Sequence, residues 1–216
     1  MGAMSDTTFA GWPATALEWF DELEANNERA WFQAHKKVYD HDVRGPMVAL
    51  LEELADEFGE FRLSRPNRDT RFSHDKSPYK PEIYARTVGP AGGLYVQLRS
   101  EGLFAGGGLY APDRDTLARL RAAIADDRSG PELVRIVAEL EASGAELVRD
   151  GALRTAPRGY PVDHPRIDLL RLPHLAGGWT HPAGPWLHTP AAKDRVVADW
   201  RTVGPLLDWA AAHLGT

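Results

Sequence analysis

The chain has 216 residues, 43% of them hydrophobic and 26% charged, with a formal net charge of −6 and no cysteine. That length suits one large domain, which buries roughly 70% of its unfolded surface without staples. Missing cysteines exclude disulfides, thiolate catalysis and cysteine zinc sites, and the acidic balance argues against wholesale binding of nucleic acid or an anionic membrane.

Residues 1–8, with Met1-Gly2-Ala3 ahead of Met4, read as disordered or tag-derived, and 9–214 as a single domain. Pro13 stands where the first turn of a helix over 14–25 would place it, and Leu17, Trp19, Phe20 and Leu23 supply that helix with an apolar face. Asn26-Asn27 breaks it. Asn27 is expected to cap a second helix from Glu28 to about Val43, with Trp31, Phe32, Val38 and Tyr39 turned inward. Gly45-Pro46 restarts the pattern, and Met47, Leu50, Leu51, Leu54 and Phe58 form a clear helical stripe.

Past Gly59 the period shortens. Phe61-Arg62-Leu63 alternates, and residues 83–88, 94–99 and 103–110 read as strands parted by turns at 89–93 and 101–102, most simply an antiparallel meander. Helices resume near Pro112, one marked by Leu117, Leu120 and Ile124 and ending before Gly130-Pro131. The next is marked by Leu133, Ile136, Val137 and Leu140. Residues 146–148 and 151–153 suggest a short hairpin or edge strand, 158–165 a proline-punctuated loop, and 167–172 a short apolar element. Residues 173–190 read as a long ordered loop, and two final helices, started by Thr189-Pro190, break near Gly204-Pro205. The expected class is α+β, a single domain with a small antiparallel sheet, the meander near 83–110, packed by N-terminal and C-terminal helices. No apolar run approaches the ~18 residues of a membrane span, and no basic-then-apolar leader opens the chain, so a soluble cytoplasmic protein is expected.

Charge is unevenly spread. Between Arg62 and Arg86 seven Lys or Arg face three acids, and the densest stretch, 68–81, has four cations, two carboxylates and no apolar period. Guanidinium and ammonium groups gathered on one turn bind carboxylate or phosphate, and Pro78 and Pro81 stiffen the turn and lower the entropy lost on binding. Arg68, Arg71, Tyr79 and Lys80 are therefore the candidate substrate-binding residues. Lys76 is a candidate catalytic cation if burial lowers its basicity, and Asp163 with His164 is a candidate acid–base pair. The competing readings are structural. Asp69 and Asp75 could neutralise Arg68, Arg71 and Lys76, and Asp163 or His164 could cap the element that begins at Pro165.

No metal and no cofactor are expected. His174, His181 and His188 are spaced by seven, and His164 with Asp168 makes two ligands without a third. Gly106-Gly107-Gly108 lacks the ending of a phosphate loop and more simply permits a bulge or lets another backbone or a ring lie close on the sheet. The expected partner is an anionic small molecule, with a nucleotide, a nucleic-acid end or an acidic protein as the alternative, stacked on Tyr79 or Phe72. Nucleic acid is the less expected of these, and no membrane or particular oligomer is implied.

Several segments carry a family resemblance. Asn26-Asn27-Glu28-Arg29-Ala30-Trp31-Phe32, Arg68–Ser73 with Asp75–Lys80, Gly106–Pro112, and Pro157–Tyr160 with Asp163-His164-Pro165 stand in order and at suitable spacing. Together they resemble the bacterial and fungal proteins of domain of unknown function 2461. Ala30 departs from the pattern, where a Glu is expected before Trp-Phe. The resemblance implies one α+β domain and no established activity.

Overall fold

The computed structural model describes residues 8–69, 71, 75–87, 89 and 92–214. The expectations for residues 1–7 and for Phe72 lie outside the described residues. The fold is α+β, about 50% helix and 18% strand. Its strands are β1 Phe61–Leu63, β2 Ile83–Thr87, β3 Gly93–Arg99, β4 Gly102–Leu109, β5 Glu146–Leu147 and β6 Leu175–Pro182. They form one open antiparallel sheet in the order β1-β2-β3-β4-β6-β5. By its internal contacts the chain divides into two compact units. The first holds Met1–Thr87, Tyr95–Phe104 and Thr180–Val197, and the second Val88–Leu94, Ala105–Trp179 and Ala198–Thr216.

In the first unit, helix α1 (Ala14–Ala25) follows Pro13, and α2 (Arg29–Val38) follows Glu28, which makes no side-chain cap. Asn27 is thus not the cap of α2; its amide is used elsewhere, as described below. No break occurs at Gly45-Pro46. A π turn over Tyr39–Arg44 carries α2 directly into α3 (Gly45–Phe58), and the Gly45 N–H donates to the Asp40 carbonyl. The wider turn lets Pro46 enter at the first turn of α3, where a missing N–H leaves no carbonyl waiting. Trp19 centres the helical core, with ring centroids 5.0–5.9 Å from Phe20, Trp31, Phe32 and Tyr39. Burial among these rings pushes the Tyr39 hydroxyl up to about 12. The segment before α1 is tied down as well. The Phe9 N–H donates to Glu53 (2.6 Å), Glu53 also accepts from Lys193 (2.6 Å), and the Trp12 N–H donates to the Leu187 carbonyl.

Burial alternates along the strands of this unit. Ile83 and Ala85 in β2 and Val96 and Leu98 in β3 are fully buried, while Tyr84, Arg86, Tyr95, Gln97 and Arg99 between them are half-buried or exposed. The sheet therefore has one dry face and one wetter face, as a period of two requires.

In the second unit, Asp113 caps α4 (Arg114–Ala125) by accepting the Thr116 N–H at 2.7 Å. Helix α4 ends before Gly130-Pro131, as expected, and α5 spans Ser129–Ala142 with that pair in its first turn. Its first turn is capped by Asp126, which accepts from the N–H groups of Arg128 and Ser129. Arg166, its side chain only 8% exposed, donates to the carbonyls of Ile124 and Ala125 in the last turn of α4, a favourable place for a cation. Gly130 leaves it room, since a Cβ there would lie 2.5 Å from Arg166 Nε. Residues 151–153 make no hairpin with β5; the Leu153 N–H donates to Arg171 instead.

Two further expectations are corrected. Residues 173–190 are not a long loop but β6 followed by a short 3-10 turn, Pro185–His188. Glycine makes this possible: a Cβ on Gly106 would lie 2.3 Å from the Gly177 carbonyl oxygen, and one on Gly108 would lie 2.3 Å from that of Leu175. The Gly106–Gly108 run is thus a close backbone approach to β6, one of the alternatives left open by the sequence. The last element is one helix, α7 (Ala191–Leu214), with Pro205 inside it. Pro205 is exposed and Gly204 before it has no Cβ to meet the proline ring. The stripe Val196, Trp200, Val203, Leu206, Trp209 and Leu214 is buried throughout, and that burial outweighs the lost N–H. Among the described residues no helix is long and apolar enough to cross a membrane.

The β4–β6 approach sets an expectation. Gly106→Ala should destabilise the protein by at least about 2 kcal/mol in a denaturant titration, the range for overpacking a closed site. A loss below about 0.5 kcal/mol would mean that the two backbones have room to spare.

Candidate functional site

The basic segment is built on a narrow two-stranded neck. The Arg68 N–H donates to the Pro78 carbonyl and the Lys80 N–H to the Pro66 carbonyl, both at 2.9 Å, with Asn67 and Tyr79 facing each other between them. Prolines fit at 66 and 78 because only their carbonyls are needed. In such a ladder the N–H and carbonyl of the middle residue point away from the partner strand. Asn27 meets both: its amide donates to the Tyr79 carbonyl and its Oδ1 accepts the Tyr79 N–H, each at 3.0 Å. The Tyr79 side chain is 5% exposed and stacks on Phe32 at 4.0 Å and 10°. Tyr79 therefore anchors the loop in the helical core, and its ring face is occupied by Phe32.

Beyond the neck the arginines meet the loop's own acids. Asp69 takes a bidentate fork from Arg71 (2.9 and 2.6 Å), and Asp75 pairs with Arg68 while accepting the Ser77 N–H (2.9 Å) and hydroxyl. The Arg71 fork holds the Asp69 carboxyl below its ordinary value, and the Ser77 bonds do the same for Asp75 with Arg68 adding to them. Lys80 donates to the Arg65 carbonyl (3.1 Å) and lies 4.8 Å over the Tyr84 ring. Lys76 is exposed, so the burial that its catalytic role requires is not there.

Asp163 and His164 belong to the second unit. Asp163 is exposed, and His164 accepts the Arg166 N–H on Nδ1 (3.1 Å) ahead of α6 (Ile167–Leu170), which starts without a side-chain cap. Asp168 pairs with Arg171 at 3.0 Å. The spaced histidines are engaged locally: the His174 Nδ1 accepts the Ala111 N–H (2.9 Å) beneath an exposed Tyr110 ring, and His188 donates to the Trp12 carbonyl (2.7 Å). Among the described residues no three His, Asp or Glu side chains gather as a metal site. An open concavity of about 500 Å³ in the second unit, lined by Arg119, Asp126, Arg128, Ser129 and His213, contains none of the candidate residues.

A model of the family described as conserved hypothetical protein (DUF2461) matches residues 15–209. The chain belongs to the DUF2461 family. No curated protein and no solved structure matches it. Two of the segments that carry the DUF2461 resemblance, 26–32 and 68–80, meet in space: Asn27 brackets the Tyr79 backbone and Phe32 covers its ring.

The residues that composition passed over lie on the wetter face of the sheet. Register places Arg62 of β1 directly opposite Arg86 of β2, and Arg86 opposite Tyr95 of β3. Tyr84 stacks with Tyr95 at 5.4 Å, and Tyr95 meets Phe104 of β4 edge-on at 5.9 Å. Arg99 and Gln97 at the far end share Glu82. Arg62 and Arg86 are exposed and have no ion-pair partner among the described residues. The signal was the alternation Tyr84-Ala85-Arg86 and Tyr95-Val96-Gln97, which shows its meaning only once the strands are in register.

Two measurements check this geometry. Asn27→Ala removes both bonds to Tyr79 and should cost about 2–3 kcal/mol of stability, since the Tyr79 backbone groups lose their partner. Because the folded values of Asp69 and Asp75 are depressed, their contribution is present above the unfolded value near ~4 and lost as pH falls through the folded values. Protection of the Ser77 amide, corrected for intrinsic exchange, should hold at neutral pH and disappear on acidification below about pH 4; protection that persists would show that Asp75 does not hold the turn.

Proposed function

We propose that this protein is a non-catalytic binding module for anionic groups, and that the anion is received on the sheet face beside the basic loop. The observation that carries this is the Arg62–Arg86 pair, two exposed guanidinium groups directly opposite in register and, among the described residues, without an ion-pair partner. Like charges placed so are a cost to the sheet, and a phosphate or carboxylate between them turns that cost into a charge-assisted contact. The loop 68–81 acts as a scaffold in this reading, since Arg68 and Arg71 already meet Asp75 and Asp69. The exposure of Lys76 and Asp163 and the engaged Nδ1 of His164 favour binding over acid–base chemistry. The setting proposed is the bacterial cytoplasm, in keeping with a cysteine-free chain.

Titration calorimetry with tripolyphosphate at low salt tests the reading. Arg62→Ala with Arg86→Ala should weaken binding by about tenfold or more and leave the melting temperature unchanged or slightly raised. Arg71→Ala should change binding by less than about threefold, because its fork is spent on Asp69. The reverse order of effects would return the site to the loop.

A further inference from the structure

The anion-binding face has a second property that a site for a free phosphate would not need. In cross-strand order it reads Arg62, Arg86, Tyr95, with Phe104 against Tyr95 and Tyr84 stacked beside it, so two cations are continued by three aromatic rings on one sheet surface. The row from β1 to β4 crosses three strand spacings, about 14 Å. Small metabolites are held by enclosure. A sheet face gains contact area only from an extended ligand, and Tyr84, Tyr95 and Phe104, each half-buried, leave part of their apolar surface along it.

Resting on the reading above, we infer that the anion is the backbone of a single-stranded nucleic acid, with its phosphates at Arg62 and Arg86 and its bases laid against Tyr84, Tyr95 and Phe104. Sheet surfaces with this composition take two or three bases by stacking, and each stacked base adds affinity without selecting sequence. Single strands are selected over duplex because paired bases are already stacked on one another and cannot reach the rings. Lys80, over the ring of Tyr84 and bonded to the Arg65 carbonyl, holds that ring in place from the loop side. The protein's net charge of −6 repels the rest of a long polyanion, so the contact is short and local.

The test is fluorescence anisotropy on the full chain with a labelled oligothymidylate of roughly 12 nucleotides, repeated with oligouridylate and with a blunt duplex, alongside the tripolyphosphate titration. Tyr84→Leu and Tyr95→Leu are each expected to weaken oligonucleotide binding by at least about fivefold while tripolyphosphate binding stays as in the parent. Tyr95→Phe, which keeps the ring, should bind within about twofold of the parent. Arg86→Ala should make the salt slope shallower by about 0.7. If Tyr95→Leu proves unfolded by its melting curve, Tyr84→Leu carries the comparison. Tripolyphosphate binding with no oligonucleotide binding, with binding indifferent to the rings, or with equal binding of duplex overturns this inference and leaves the anion site standing. Failure of both ligands removes both. Equal affinity for the two oligomers supports stacking alone, and preference for one supports stacking with an added contact at the sugar.

Discussion

One amide decides how the basic segment is held. Tyr79 sits in the middle of a two-stranded neck, and its N–H and carbonyl point away from Asn67 toward a side where no strand is present. Unmet, those two groups would be an open edge next to an apolar core. Asn27 answers both with a single side chain, standing in for the missing strand, and Phe32 from the following helix covers the ring. The junction between two helices is therefore shaped by a residue fifty-two positions away in the chain. That explains why Asn27 is spent on Tyr79 and why α2 begins without a side-chain cap.

With the neck fixed, the fate of each cation follows from local geometry. A turn brings residues two to seven apart back toward each other, so Arg71 finds Asp69 and Arg68 finds Asp75 within the same loop. A strand does the opposite. It sends neighbours to opposite faces and meets its acids only through register. Glu82 succeeds in this, reaching Arg99 and Gln97 on β3. Arg86 meets Arg62 on one side and Tyr95 on the other, neither of which carries an acid. Among the described residues, register thus leaves Arg62 and Arg86 facing each other with no acid opposite either of them.

Much of this was open to a reader of the sequence, and what was hidden has identifiable causes. The first helix, the stripe of the third and the meander were legible because their apolar periods are unbroken. Proline and glycine misled where tertiary burial overrode them: Pro46 follows a π turn, Pro205 stays inside α7, and Gly177 and Gly178 lie in a strand. The glycine run of β4 did signal a close approach, but a run of glycines does not name its partner, and β6 was left as loop. At the site, counting charges located a basic region, and only the fold shows which of its arginines meet acids of the same loop. Charge is a property of composition, whereas pairing depends on which residues a turn or a register sets side by side.

The local and global charges of this protein act over different distances, and that difference limits what the sheet face can hold. At physiological salt a charge is felt over about 8 Å, close to the reach of Arg62 and Arg86. Lowering the salt extends the reach of all charges together, and the excess of thirty-one acids over twenty-five bases then opposes any polyanion that approaches. A basic protein would gain affinity without limit as salt is removed; an acidic one with a basic row gains first and is then held back by its own field. Contact at such a row has to draw on forces that do not depend on ionic strength, and the rings of Tyr84, Tyr95 and Phe104 are the groups beside the arginines that can supply them.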